Sequence, residues 1–547
     1  MIAESAGRRA GTPAWRGRGT GERGTLVVIP PCGAVRGYSD VRAHEAGTRQ
    51  AHAEGAREVF AWRGIPFAEP PVGPLRFRAP VPARRWSGVR DCAEFGPVCP
   101  QAEGMPIEAE LVRDEDCLNL NVWAPRPERT LRPVLVWIHG GAYFLGAGSQ
   151  GIYRGRRLVA EGDAVVVTFN YRLGVLGFVA MEAMSGGAGT FESNVGLRDQ
   201  IAVLEWVRDN ISAFGGDPDN VTLFGESSGG GAVTTLMTVP RAAGLFHRAI
   251  AQSSPATSVY GMQRAASVAG RLLRILDVPA DRADALRAMP ATALAAASGR
   301  LSAEVSGSDP GTLAMAPVVD GDLVPRYPVA AFEKGVAHRV PLIIGTNRDE
   351  ASIFRLLRMQ MMPVTPQSVY QMLAGVLAAN PDVAPERVAA IMSGYRELPR
   401  TRGAVAVSQD AAFRMPAVWI AEAHSRHAPT WLYRFDHASP MLRAARVGAG
   451  HATEVPYVFG TFGAMRRDPT FALGGRRTAE RVADRMRSRW LTFARTGRPD
   501  GEDGAEPWAG YDERGRRTLV IDRRDEVVVD VDRRARSLWG SRVLGFP

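Results

Sequence analysis

A chain of 547 residues is long enough for several domains, but with 45% hydrophobic residues it can also bury one large core, and α/β enzymes run to this length as single units. The formal charge of +10 comes from 66 arginines and a single lysine, Lys334, spread over the length and mixed with 57 acids. No basic block is interleaved with stacking aromatics, so the charge describes a solvated surface and excludes a nucleic-acid footprint.

Residues 1–24 carry Arg8, Arg9, Arg16, Arg18 and Arg23 among glycine, alanine and threonine. They lack the apolar run of about 7 to 15 residues that a secretory signal needs, so a disordered basic tail is expected. The address is then cytoplasmic by default, with secretion as the alternative if the N-terminus is misassigned. The longest apolar stretch, 164–181, is interrupted by Asn170 and Arg172, which rules against a membrane span.

From the tail onward, 25–29 and 58–62 read as short strands, followed by a Pro-rich surface loop over 64–73. Four cysteines follow the first strand: Cys32, Cys92, Cys99 and Cys117. Cys99 and Cys117 flank an acidic loop, 100–116. A bridge there would contribute about 3 kcal/mol by restricting the unfolded chain. Reduced thiols are the alternative in a reducing compartment. Strands are predicted over 119–124 and 134–138, the second almost continuously apolar, as in a sheet buried on both faces.

The strand over 134–138 ends in His139-Gly140-Gly141-Ala142-Tyr143. Small residues here leave backbone N–H groups free to converge on one spot, as an oxyanion hole requires. A further buried strand is predicted over 164–171. Asn194 opens an amphipathic helix with Leu197, Ile201, Leu204 and Val207 on one face.

Residues 221–232 then read Val-Thr-Leu-Phe-Gly-Glu-Ser-Ser-Gly-Gly-Gly-Ala. Strand formers run into Gly225-Glu226-Ser227-Ser228-Gly229, and a small-residue helix follows. This is the G-x-S-x-G nucleophile elbow in the context it needs. A strand over 248–252 leads to Ser253 and an Ala-rich helical stretch over 259–300. The strand over 340–344 ends in Gly345-Thr346-Asn347-Arg348-Asp349-Glu350. Residues 351–427 read as mainly helical with proline breaks. A strand over 431–435 is followed by a loop carrying His437 and His451, then by a long helix over 478–496 and strands over 518–521 and 527–531. Alternating buried strands and helices predict an α/β fold. The order is serine, then Asp349 or Glu350, then His437 or His451, as expected of a hydrolase triad. The residues alone choose neither between the acids nor between the histidines.

The ordered motifs over about 33–540 resemble the type-B carboxylesterase family, the cholinesterase and carboxylesterase group, and within it the bacterial para-nitrobenzyl esterases. They include Trp62-Arg63-Gly64-Ile65-Pro66, Glu115-Asp116-Cys117-Leu118-Asn119, Trp137-Ile138-His139-Gly140-Gly141, Asn194-Val195-Gly196-Leu197-Arg198-Asp199-Gln200, the elbow, Asn347-Arg348-Asp349-Glu350 and His451-Ala452-Thr453-Glu454-Val455-Pro456-Tyr457. The resemblance implies an α/β-hydrolase fold with a central, mostly parallel sheet, helices on both faces and helical cap insertions at about 259–310 and 351–427. A single domain would then span 25–547.

The resemblance also implies site residues. The acid would be Glu350 and the base His451. The oxyanion donors would be the N–H groups of Gly141, Ala142 and Ser228, Ser253 would support the acid, and Cys99 would be bridged to Cys117. Cholinesterases place a choline-binding tryptophan between these two cysteines, whereas 100–116 contains no aromatic residue, which speaks against choline esters.

The expected activity is that of a serine carboxylic-ester hydrolase acting through an acyl-enzyme on small to medium apolar esters, as a monomer or homodimer, without metal or cofactor. The alternatives are a non-catalytic binding or adhesion protein on the same fold, a lipase, and a carbamate hydrolase.

Overall fold

The computed structural model describes residues 24–40, 58–102, 107–108, 110–184, 191–380, 383–398, 400–464, 468–501, 506–541 and 544. The basic tail expected over 1–24 lies outside them except for Gly24.

Seven strands form the parallel centre of one twisted sheet. In spatial order they are Val165–Phe169, Arg132–Ile138, Gly216–Glu226, Arg248–Gln252, Leu342–Asn347, Thr430–Phe435 and Arg517–Ile521. Antiparallel strands extend both edges. Asn119–Pro125, Val59–Pro66, Ala34–Ser39 and Thr25–Val28 lie on one side, and Glu526–Val529 on the other.

The central strands bury both faces, which is why they read as unbroken apolar runs. Val134, Val136 and Ile138 pack into one core, while Leu135 and Trp137 pack into the other. The first core is closed by the helices Val195–Asn210 and Ser228–Leu236, through residues such as Leu204 and Val233. The second is closed by the long helix Arg476–Thr496, through Val482, Met486, Trp490 and Phe493.

The strand Ala34–Ser39 was not expected. Its alternation is broken at Gly37, and the structure shows why. A Cβ there would stand 2.5 Å from the Trp62 indole of the neighbouring strand, so glycine is what lets the ring lie on the backbone.

The helical stretch expected over 259–300 is split into Met262–Ile275, a 3-10 segment Ala280–Arg287 and Ala291–Ser308, with Pro279 and Pro290 at the breaks. Farther on, Pro366 and Pro385 open their helices at the first position, where a missing N–H costs nothing. Among the described residues, no helix is long and apolar enough to cross a membrane.

The implied bridge between Cys99 and Cys117 is not formed. Both are buried free thiols. The Cys99 sulfur accepts the Leu173 N–H at 3.2 Å, and its hydrogen bond with Cys117, together with burial, pushes the Cys117 thiol well above its usual range.

Candidate active site

The strand Gly216–Glu226 lies near the middle of the sheet and ends at the elbow. Ser227 takes φ 58 and ψ −129, a strained backbone for a residue with a Cβ. Glycine is required beside it. A Cβ on Gly229 would stand 2.1 Å from the Ile138 carbonyl oxygen, and one on Gly225 would stand 2.7 Å from the Gly229 carbonyl. The Ser227 N–H donates to Gln252 O at 3.0 Å, which ties the turn to the next strand. The side chain emerges at the N-terminus of the helix Ser228–Leu236, where partial positive charge collects.

The structure brings Ser227, His451 and Glu350 into one hydrogen-bonded chain. His451 Nε2 lies 2.8 Å from Ser227 Oγ, and His451 Nδ1 lies 2.7 Å from Glu350 Oε2. With Nδ1 facing a carboxylate, the proton belongs on Nδ1 and Nε2 accepts from the serine hydroxyl. Glu350 is fully buried at the end of the strand Leu342–Asn347. Its Oε1 accepts from Ser253 Oγ at 2.6 Å and from the Asn347 N–H at 2.7 Å. With the His451 ring, the carboxyl group of Glu350 thus has three hydrogen-bond partners.

The other acid and the other histidine lie elsewhere. Asp349 pairs with Arg348 and accepts the Ala449 N–H at 3.0 Å. His437 Nδ1 is 3.0 Å from Asp522 Oδ1.

Gly140 closes on the elbow: a Cβ on it would lie 3.0 Å from Ser227 Cβ. Gly141, Ala142 and Tyr143 follow with φ of 123, 51 and 63. Three left-handed residues in a row turn successive N–H groups towards one side, forming a concavity suited to an anion. Among the described residues no acceptor takes the N–H of Gly141 or Ala142. Ser228 is the first residue of its helix, so its N–H has no intrahelical partner. The Tyr143 N–H lies 3.4 Å from Ser228 Oγ, which joins this loop to the elbow helix. Two more left-handed residues flank the chain, Ser253 at φ 46 and Ala452 at φ 63.

Two further buried acids were missed. Glu226 Oε1 lies 3.3 Å from His451 Nε2 and has no hydrogen-bond donor. Burial, reinforced by Glu454 and Glu350, pushes its carboxyl up to about 8. Glu454 accepts from Gln252 Nε2 and Asn347 Nδ2, and burial raises it as well. For His451, burial alone would lower the imidazole, but the carboxylates of Glu226 and Glu350 outweigh it and hold the ring above its ordinary value. A proton on Glu226 removes one of those charges and eases His451 towards its neutral, proton-accepting form.

A signal for Glu226 was present. An ionisable residue at the end of an otherwise buried strand is seldom there for packing. Phe413 and Phe354 also lie against the His451 ring, with centroids 4.6 and 5.1 Å away. Nothing local in the sequence marked them.

The carboxylesterase family model matches residues 44–538. The chain is 38% identical over 494 residues to the para-nitrobenzyl esterase of Bacillus subtilis (strain 168), covering 89% of this chain and 96% of that one. It is 34% identical over 485 residues to the phenmedipham hydrolase of Pseudarthrobacter oxydans, covering 87% and 94%. A solved PNB esterase structure superposes with a TM-score of 0.79 at 34% identity, covering 94% of this chain and 99% of that one. The Geobacillus stearothermophilus carboxylesterase gives 0.76 at 35% identity, with 94% and 100% covered. Identity above a third, sustained over nearly the whole length of both chains, leaves one conclusion: the chain belongs to the carboxylesterase family of serine ester hydrolases.

Proposed function

We propose that Ser227 is the nucleophile, His451 the general base and acid, and Glu350 the acid that orients the imidazole, in the hydrolysis of small to medium apolar carboxylic esters. The observation that carries this reading is the chain of hydrogen bonds from Ser227 Oγ to His451 Nε2 (2.8 Å) and from His451 Nδ1 to Glu350 Oε2 (2.7 Å).

His451 takes the hydroxyl proton as Ser227 Oγ attacks the ester carbonyl. The N–H groups of Gly141, Ala142 and Ser228 hold the oxyanion, an electrostatic contribution worth about 10² to 10³ in rate per donor. The tetrahedral intermediate collapses, the C–O bond to the alcohol breaks, and His451 returns its proton to the departing alkoxide. Water, activated by the same imidazole, then attacks the acyl-enzyme and releases the acid.

The described parts of the stretches 259–310 and 351–427 are read as the cap over this centre. An apolar substrate is supported by the cluster of Phe354, Met362 and Phe413, two of whose rings rest on His451.

The test is Ser227→Ala with p-nitrophenyl acetate. Hydrolysis should fall to background while thermal unfolding is unchanged, and an organophosphate should label the wild type but not the variant. Residual activity of more than a few per cent, or equal labelling, would refute the assignment. A series of p-nitrophenyl esters should show rates falling as the acyl chain grows past medium length.

A further inference from the structure

Residues Asp410–Arg414 form a π turn between the helices Thr401–Gln409 and Met415–Ser425. A π turn is rarer than regular helix, and it recurs at functional sites. Here two consecutive residues of the turn reach the acid–base half of the centre. Phe413 lies against the His451 ring. Arg414 sends one guanidinium nitrogen to two main-chain carbonyls, those of Asn347 at 3.2 Å and Arg348 at 3.0 Å.

Those carbonyls sit where the strand Leu342–Asn347 ends, at and just after its last paired residue. Asn347 is also the residue that joins the acid to the histidine loop. Its N–H donates to Glu350 Oε1, and its side-chain amide donates to the carbonyl of Gly450, the residue before His451, at 2.7 Å. The guanidinium itself is held between Asp410 and Asp532, at 3.5 and 3.4 Å. Asp410 accepts from the Tyr395 hydroxyl at 2.7 Å.

We propose that Arg414 is a positioning residue for this hydrolase. It fixes the Asn347 and Arg348 carbonyls, so that the amide groups of Asn347 hold Glu350 and the histidine loop in register. The inference rests on reading Glu350 as the catalytic acid. An arginine suits the task because its planar, fully charged head can satisfy both carbonyls from one nitrogen while the other nitrogens face two carboxylates. The same cation lies close enough for Glu350 to be among the acids acting on it, which offsets part of the negative charge gathered around His451. Without it two carbonyls at a buried strand end lose their donor, and the turn to Glu350 is free to shift by fractions of an ångström, enough to slow chemistry without weakening substrate binding.

The test is steady-state hydrolysis of p-nitrophenyl acetate with thermal melting on Arg414→Met, Arg414→Lys, Tyr395→Phe and Glu350→Gln. Arg414→Met should lower kcat about tenfold or more with KM within about twofold, because Arg414 acts through the Asn347 and Arg348 carbonyls. Arg414→Lys should recover most of the loss, leaving kcat about two- to fivefold down. Tyr395→Phe, which disturbs the same acid cluster without touching the strand end, should lower Tm and leave kcat unchanged.

A wild-type kcat in Arg414→Met, or an equal loss of kcat in Tyr395→Phe, overturns the proposal. If Arg414→Met does not fold, Arg414→Lys decides, and an unchanged kcat there overturns it. Glu350→Gln separates the two readings. If that variant keeps wild-type kcat, the acid assignment fails; if it is inactive while Arg414→Met is normal, only the role of Arg414 fails.

Discussion

The Ser253 hydroxyl donates to Glu350 Oε1 at 2.6 Å, binding the end of one central strand to the acid at the end of its neighbour. A hydrogen bond to a buried charged group contributes about 1.5 to 3 kcal/mol. Ser253→Ala should therefore lower kcat about tenfold with little change in KM. Glu350 would keep its Asn347 donor, so the loss should stop well short of that in Glu350→Gln. Equal kcat in Ser253→Ala and wild type would show that the Asn347 N–H suffices alone.

The two histidines separate cleanly. His451→Ala should lose about 10⁴-fold in kcat, because among the described residues the hydrogen bond of Ser227 Oγ is the one to His451 Nε2. His437→Ala should retain most activity, since that ring is paired with Asp522. Esterase assays on the purified variants, alongside melting curves, check both. An inactive His437 variant with an active His451 variant would reverse the roles.

Gly141 admits no side chain. Its φ of 123 disfavours an L-residue, and a Cβ would lie 2.0 Å from the Leu145 carbonyl oxygen. Gly141→Ala should displace the loop that carries two of the three proposed oxyanion donors. The expected cost is about 10² to 10³ in kcat, with melting lowered only modestly. Stopped-flow acylation rates would locate the defect in the chemical step.

Glu226→Gln tests the electrostatics. His451 is held above its ordinary value by neighbouring carboxylates, Glu226 first among them. The base must be neutral to work, so activity rises as pH passes upward through its pKa. Removing the Glu226 charge lowers that pKa, and the acid limb of kcat/KM should move to lower pH. A limb that stays in place would show that Glu226 is protonated throughout the working range, and one that moves up would overturn the electrostatic reading. The same variant should also flatten the part of the wild-type profile near pH 8, where Glu226 itself titrates.

Much of the site could be read in the sequence because its parts are local. The elbow needs glycine within two residues of the serine on either side, and the loop after Ile138 needs consecutive small residues. Both demands show up as short patterns. The choice between Asp349 and Glu350 was not local. It depends on how the turn after Asn347 is held, with Ala449 taking Asp349 and Ser253 taking Glu350. His437 and His451 are likewise told apart only by what they meet, Asp522 and Glu350, which lie 85 and 101 residues away in the chain. Glu454 stood inside a motif already noted, yet its contacts with Gln252 and Asn347 come entirely from tertiary packing. The strand Ala34–Ser39 was hidden by Gly37, which is there for the Trp62 ring rather than for the strand.

Ala142, Tyr143, Ser227, Ser253 and Ala452 all carry side chains on left-handed backbone, in the elbow, the loop before it and the segments that hold Glu350 and His451. Each such residue costs on the order of 1 kcal/mol or more, so the reactive centre is a loaded spring clamped by the sheet around it. Glycine at Ala142 or Ala452 would relax the spring and would be expected to raise the melting temperature. It would also slacken the clamp on the groups that must meet the substrate, so selection for heat resistance and selection for turnover would pull these positions in opposite directions.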